Sequence, residues 1–178
     1  MREALQTVAP TIWEGTAHRC VGGVSVRDVT DALRDLTKDG RYSRGGAFRT
    51  LYLSLSPELA VKEYRQSPEE GELRGVTCLS LPLRAGRVLD LTDEEVQERL
   101  GTGLQELTGD WQVLTGRGRD APTQRLGRAA FDSGRFDALL YPSKLAPEAA
   151  NLLVLVDRAS GRLAAMDLPA GFPERLEV

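Results

Sequence analysis

The sequence predicts a mixed α+β domain. A period-two run meets a capped helix between residues 51 and 66, and short strand-like and helix-like segments then alternate without a regular strand–helix repeat. The composition, 41% hydrophobic and 28% charged over 178 residues, suits one compact globular domain with a sizeable core, residues 1–178, ending in a short C-terminal tail.

Taken in order, Asp28 to Lys38 sets Val29, Leu33 and Leu36 at helical spacing. From Leu51 to Ser56, Leu51, Leu53 and Leu55 share one face and Tyr52, Ser54 and Ser56 the other, the alternation of a half-buried strand, so Tyr52 points away from the leucines. Ser56-Pro57-Glu58 then supplies an N-cap hydroxyl, a proline at the first helical position and an acid at the positive helix end. A helix is expected from about Pro57 to Gln66, with the chain released near Pro68. On it Leu59, Ala60, Val61 and Tyr64 form an apolar arc, and Glu58, Lys62, Arg65 and Gln66 form the opposite side.

Glu63 falls inside the apolar arc, between Leu59 and Ala60. Two readings are open. Either Glu63 snorkels to water from the arc's edge, or its carboxylate faces a cleft between the helix and the Tyr52 side of the strand, where it needs a donor or a ligand.

Further along, Val76 to Leu83 and Arg87 to Leu91 read as two strands, and Thr92-Asp93-Glu94-Glu95 as a capping box opening a helix through about Leu100. Gly116 to Asp120 is a loop, and Thr123 to Asp132 a helix with Leu126, Ala129 and Ala130 facing inward. Ala138 to Tyr141 is a short strand broken by Pro142, and Asn151 to Val156 a buried apolar strand. Gly161 marks a turn before a final short strand and the tail.

Composition removes several function classes. The N-terminal MREALQTVAPTIWEG has no continuous apolar run and no segment reaches the length of about 20 apolar residues that spans a bilayer, so a soluble, cytoplasmic protein without membrane attachment is expected. Cys20 and Cys78 are expected to be reduced, structural cysteines, because a chain this long needs no covalent staple. With His18 the single histidine and no close cysteine pair, no metal site is expected. A net charge of −3 argues against direct nucleic-acid binding, and the run Arg117, Arg119, Arg125 and Arg128 reads as a solvated face. There is no GxGxxG after a strand, GRYSRGG lacks the lysine and hydroxyl of a P-loop, and no GxSxG elbow occurs.

The order of short motifs does carry a resemblance. Gly15-Thr16-Ala17-His18-Arg19, Gly40-Arg41-Tyr42, Leu51-Tyr52-Leu53-Ser54, Ala60-Val61-Lys62-Glu63, Leu140-Tyr141-Pro142-Ser143 and Asn151-Leu152-Leu153-Val154 follow one another over about residues 12–157 as in the RES domain family, named for an arginine, a glutamate and a serine. The resemblance implies an ADP-ribosyltransferase-like split β-core with flanking helices. It also implies an NAD-degrading toxin of a toxin–antitoxin pair, held by an Xre-type helix-turn-helix antitoxin, with NAD as substrate and no further cofactor.

Position by position, the resemblance makes Arg41 the family arginine, Tyr52 the tyrosine of the next strand, Glu63 the glutamate and Ser143 the serine, with Arg19 and Asn151 as further substrate-binding positions. Chemistry fits the roles. Arg41 can fork two hydrogen bonds to a pyrophosphate. Tyr52 can pack on nicotinamide or its ribose. Glu63 can hold the ribose hydroxyls and stabilise the oxocarbenium-like charge that develops as nicotinamide leaves, and Ser143 can donate or accept a positioning hydrogen bond. Water or phosphate would take the ADP-ribosyl carbon. One departure stands out: many relatives carry Arg-aromatic-Asn-Pro where this chain has Arg41-Tyr42-Ser43-Arg44. The same site could instead transfer ADP-ribose to a protein, and the altered loop could leave a catalytically silent binding domain.

Overall fold

The computed structural model describes residues 1–22, 38–66, 76–159 and 163–165. In chain order these form α1 (Arg2–Thr7), β1 (Thr11–Gly22), β2 (Thr50–Ser54), α2 (Pro57–Arg65), β3 (Val76–Asp90) and α3 (Glu94–Leu100). Next come α4 (Leu104–Thr108), α5 (Trp111–Thr115), α6 (Pro122–Ser133), β4 (Ala138–Pro142), β5 (Ala150–Leu155), α7 (Val156–Ala159) and β6 (Leu163–Ala165). The mixture of helices and strands is as the sequence predicts. The helix expected over Asp28 to Lys38, the release at Pro68 and the turn at Gly161 fall outside the described residues.

The six strands form one sheet in the order β1-β2-β5-β4-β3-β6, and β1 also pairs with β3. That extra pairing closes the first five strands of the order into a ring. Period-two alternation gives the ring an inner and an outer face. Ala17, Leu51, Leu53, Leu83, Leu152 and Val154 pack together inside. Tyr52, Leu89, Leu139, Tyr141, Leu153 and Leu155 point outward, where helix residues such as Leu5, Leu107, Leu126 and Ala130 cover them. The helices therefore clothe the face on which Tyr52 sits.

Three expectations need correction. The strands expected over Val76 to Leu83 and Arg87 to Leu91 are one continuous strand, β3, which ends at Asp90, runs antiparallel to β1 and meets β4 in parallel at Val88 to Asp90. The apparent break at Arg84-Ala85-Gly86 is the point where β3 changes partner: Ala85 pairs with Trp13 on one side and Leu163 on the other. The α3 N-cap is Asp93, whose carboxylate accepts from Glu95 N at 2.8 Å, while Thr92 is held by Asp90. Cys20 and Cys78 form a disulfide. They lie directly opposite each other in the β1–β3 ladder, in a register set by Arg19–Leu79 and Val21–Thr77, and direct cross-strand neighbours are within bonding reach. Register decides the pairing here, whatever the chain's size.

Other elements match their sequence logic. Ser56 Oγ accepts from Leu59 N at 3.1 Å, as the N-cap of α2. Leu59, Ala60 and Tyr64 are buried while Glu58, Lys62, Arg65 and Gln66 are exposed. On α6, Leu126, Ala129 and Ala130 are buried. Among the described residues, no helix is long and apolar enough to cross a membrane.

One ion pair fixes the junction of β3, β4 and α6. Arg87 forks onto the buried Asp137 with Nε–Oδ2 at 3.0 Å and Nη2–Oδ1 at 2.6 Å, and its Nη1 donates to Gly134 O at 3.1 Å. Burial pushes the Asp137 carboxyl up, and Arg87 pulls it back down. Arg87→Leu strands a buried carboxylate, and we expect a loss of about 3–5 kcal/mol in urea unfolding at neutral pH. Without Arg87 the folded-state pKa of Asp137 rises further above its unfolded value, so stability falls as pH rises through that window. The deficit should therefore shrink as pH falls and the raised carboxyl of Asp137 takes up its proton. A deficit under about 1 kcal/mol, typical of surface pairs, would contradict this.

Candidate functional site

A polar row crosses the outer face of the sheet. His18 on β1 pairs with Ser54 on β2, Ser54 with Asn151 on β5, and Asn151 with Tyr141 on β4, so all four side chains stand on one side, about 5 Å apart from strand to strand. Helix α2, entering straight from β2 through the Ser56 cap, lays Leu59, Ala60 and Tyr64 against the sheet and carries Glu63 over this row.

The Glu63 carboxylate meets two donors at one oxygen. Ser143 Oγ donates to Oε1 at 2.8 Å and Asn151 Nδ2 donates to the same atom at 2.8 Å. Oε2 has no donor among the described residues, and Asn151 Oδ1 is buried without a partner there. Ser143 Oγ in turn accepts from Leu145 N at 3.0 Å, which orients the hydroxyl toward the glutamate. Of the two readings of Glu63, the structure supports the second: a half-buried carboxylate on the Tyr52 side, held by charge-assisted hydrogen bonds.

Beside it stands an aromatic group. Tyr42 and Tyr141 meet edge to face with centroids 4.7 Å apart. Tyr52 OH accepts from Tyr42 N at 2.9 Å and shares a hydrogen bond with Ser43 Oγ at 3.2 Å, which also reaches Thr50 Oγ1. Burial raises all three tyrosine hydroxyls above their ordinary range. Around Tyr141 the negative charge of Glu63 adds to that rise and Arg41 opposes it, so both charged groups act on one hydroxyl.

Arg41 comes from the turn between Gly40 and Ser43, where Gly40 N donates to Ser43 O at 2.9 Å. Its Nη1 donates to Leu107 O at 2.9 Å and Gly109 O at 2.8 Å, at the end of α4. Both bonds use one nitrogen, so the Nε–Nη2 edge of the guanidinium has no acceptor among the described residues. In the position where relatives carry asparagine, Ser43 ties the turn to Tyr52 and Thr50 from a fully buried site. The next residue, Arg44, pairs with Asp120 at 3.4 Å.

The structure thus gathers Glu63, Ser143, Asn151, Tyr52 and Arg41 on the outer face of the ring. Arg19 does not join them. Alternation along β1 puts it on the inner face with Ala17, one residue out of phase with His18.

Sequence reading missed the supports of the Arg41 turn. Buried Gln124 on α6 donates from Nε2 to Gly40 O at 3.0 Å and to Ser43 O at 3.4 Å. Its Oε1 accepts from Ala121 N at 3.0 Å and Thr115 Oγ1 at 3.2 Å. The signal was available, since Gln124 shares a helical stripe with Gly127 and Phe131, as Glu63 does with its own apolar arc. Two glycines permit the close packing. A Cβ on Gly40 would lie 2.7 Å from the Tyr52 ring, and one on Gly127 would strike the Tyr42 carbonyl.

The RES domain family model matches residues 16–171. The chain belongs to the RES domain family. No curated protein matches the sequence. Among solved structures, the crystal structure of the M. tuberculosis MbcT–MbcA toxin–antitoxin complex contains a similar fold, with a TM-score of 0.63 at 20% identity, covering 93% of this chain and 88% of that one. The Glu63, Arg41 and Ser143 cluster thus lies within the span matched to the RES domain.

Gly127→Ala tests the close approach of α6 to the Arg41 turn. Helix propensity alone would make alanine more stable by about 1 kcal/mol. Overpacking against the Tyr42 carbonyl should instead lower stability by about 1–3 kcal/mol and change the near-ultraviolet circular dichroism of the buried tyrosines. A stabilised variant with an unchanged spectrum would refute the contact.

Proposed function

We propose that this RES domain cleaves the bond between nicotinamide and ribose in NAD, acting as the toxin of a toxin–antitoxin pair. The observation that carries the proposal is the Glu63 carboxylate, fixed through Oε1 by Ser143 and Asn151, with Oε2 meeting no donor among the described residues. As the bond between ribose C1′ and the pyridinium nitrogen breaks, its electron pair leaves with neutral nicotinamide and positive charge develops on C1′ and the ring oxygen. A fixed carboxylate beside that carbon stabilises the charge without reorganising, which is the largest effect such a site can exert. Arg41 turns its open edge to the diphosphate, and Tyr52 and Tyr141 provide an aromatic wall. Water or inorganic phosphate then bonds to C1′, and the proton of a water nucleophile passes to solvent.

Three further features belong to the proposal. The closed ring with β3 shared between β1 and β4 is taken as an ADP-ribosyltransferase-like core. No cofactor is required, because NAD is the substrate. The partner is a helix-turn-helix antitoxin of Xre type, a reading supported by family membership and by the solved neighbour, itself a toxin–antitoxin complex. The protein would act in the cytoplasm, where NAD and antitoxin are both present.

Purified protein incubated with NAD, with and without phosphate, should release nicotinamide together with ADP-ribose or its 1″-phosphate, identified by mass spectrometry. Glu63→Gln keeps shape and hydrogen bonding but removes the charge. We expect it to fold normally and to lose about 100- to 1,000-fold in kcat. Full turnover in that variant would remove Glu63 from the chemistry. ADP-ribose appearing on protein instead of in solution would favour a transferase, and NAD binding without products a silent domain.

A further inference from the structure

The loop that follows Ser143 carries a cation, Lys144, that makes no contact with Glu63 or Arg41 among the described residues. Ser143 Oγ donates to Glu63 and accepts from Leu145 N, so the hydroxyl pins this loop beside the carboxylate. Lys144 lies between these two anchors. Its Nζ stands 3.8 Å from Asp110 Oδ2, a long pair between side chains that are 44% and 51% exposed. Arg41 reaches the same stretch of chain from the 40–43 turn, through Leu107 O and Gly109 O. Two cations from unconnected loops thus converge on residues 107–110, one of them adjacent in sequence to the Ser143 that donates to Glu63.

The two attachments differ in kind. Arg41 makes two short bonds through Nη1 to carbonyls that water would otherwise satisfy, and its Nε–Nη2 edge has no acceptor among the described residues. Among the described residues, Lys144 holds only a loose, half-exposed contact with a single carboxylate, the sort of pair that contributes little and is readily exchanged. A diphosphate brings more charge and more acceptor oxygens than Asp110. A flexible ammonium can turn from one anion to the other, and a compact point charge suits a phosphate oxygen at any angle.

We propose that Lys144 is a second binding residue for the diphosphate of the ligand, opposite Arg41, and that Asp110 occupies its ammonium until the ligand arrives. The identity of that ligand as a dinucleotide rests on the NAD reading above. Asp110 then acts as a built-in competitor. It keeps Lys144 near the site when empty and weakens binding by the charge the ligand has to displace.

Titration calorimetry with ADP-ribose tests this on the wild type, Lys144→Gln, Lys144→Arg and Asp110→Asn, with adenosine as the probe that lacks a diphosphate. Losing one charge-assisted bond should weaken ADP-ribose binding by about tenfold or more in Lys144→Gln. Lys144→Arg should stay within about threefold of the wild type, and Asp110→Asn should bind more tightly. Adenosine affinity should be the same in all four. Equal ADP-ribose affinity in the wild type and Lys144→Gln overturns the proposal, as does an equal loss for adenosine, weaker binding by Asp110→Asn, or no ADP-ribose binding by the wild type. The NAD reading stands or falls separately on the product assay. A chain that cleaves NAD but binds ADP-ribose independently of Lys144 keeps the reading and loses the clamp. One that binds through Lys144 yet leaves NAD intact does the reverse.

Discussion

A single carboxylate oxygen organises the site. Glu63 Oε1 accepts from both Ser143 and Asn151, and those two residues belong to different parts of the fold, one on the loop after β4 and the other near the start of β5. Were Glu63 replaced by an apolar residue, α2 could still bury Leu59, Ala60 and Tyr64. The serine and the asparagine would then both lose the carboxylate that accepts from them. A charge on the inward side of a helix is unfavourable unless donors satisfy it, and here one donor comes from a row fixed by strand register and the other from the loop after β4. The conformation of the loop after β4 and the placement of Oε2, which has no donor among the described residues, follow from that pair of bonds.

The cation opposite is held by a different device, shape. Gly40 lets the Tyr52 ring lie against the turn, and Gly127 lets α6 press on the Tyr42 carbonyl. Gln124 then satisfies both carbonyls of the turn, Gly40 O and Ser43 O, from one amide nitrogen. The serine at 43, a departure from the family's usual asparagine, does not loosen this loop. Its hydroxyl is buried and bonded on two sides. Arg41 is positioned by packing around its backbone and by two carbonyls at its tip, and it needs no carboxylate partner to stay in place.

Much of this was legible in the sequence, for identifiable reasons. Leu51 to Ser56 and Pro57 to Gln66 carry local signals, alternation and a proline-marked cap, and these placed Tyr52 and Glu63 on the face where the structure has them. Glu63 stood out because a charge broke an apolar arc. What failed was non-local. The continuity of β3 depends on a change of partner strand, and the Cys20–Cys78 disulfide depends on register between residues 58 positions apart, which no local pattern encodes. Arg19 was assigned by motif resemblance, yet alternation along β1 sends it inward, a conflict visible only once Ala17 is known to line the ring. Gln124 and Gly127 act through contacts with a turn more than 80 residues away, and their spacing on α6 alone does not say what they touch.

The most direct test of the central arrangement is a crystal structure of Glu63→Gln bound to NAD. The nicotinamide ribose should lie against residue 63 within hydrogen-bond range of the atom that replaces Oε2, with the diphosphate on the open edge of Arg41 and the nicotinamide beside Tyr52 and Tyr141. Density for NAD on the inner face beside Arg19, or elsewhere away from residue 63, would show that the carboxylate held by Ser143 and Asn151 is a structural tie and not the centre of the site.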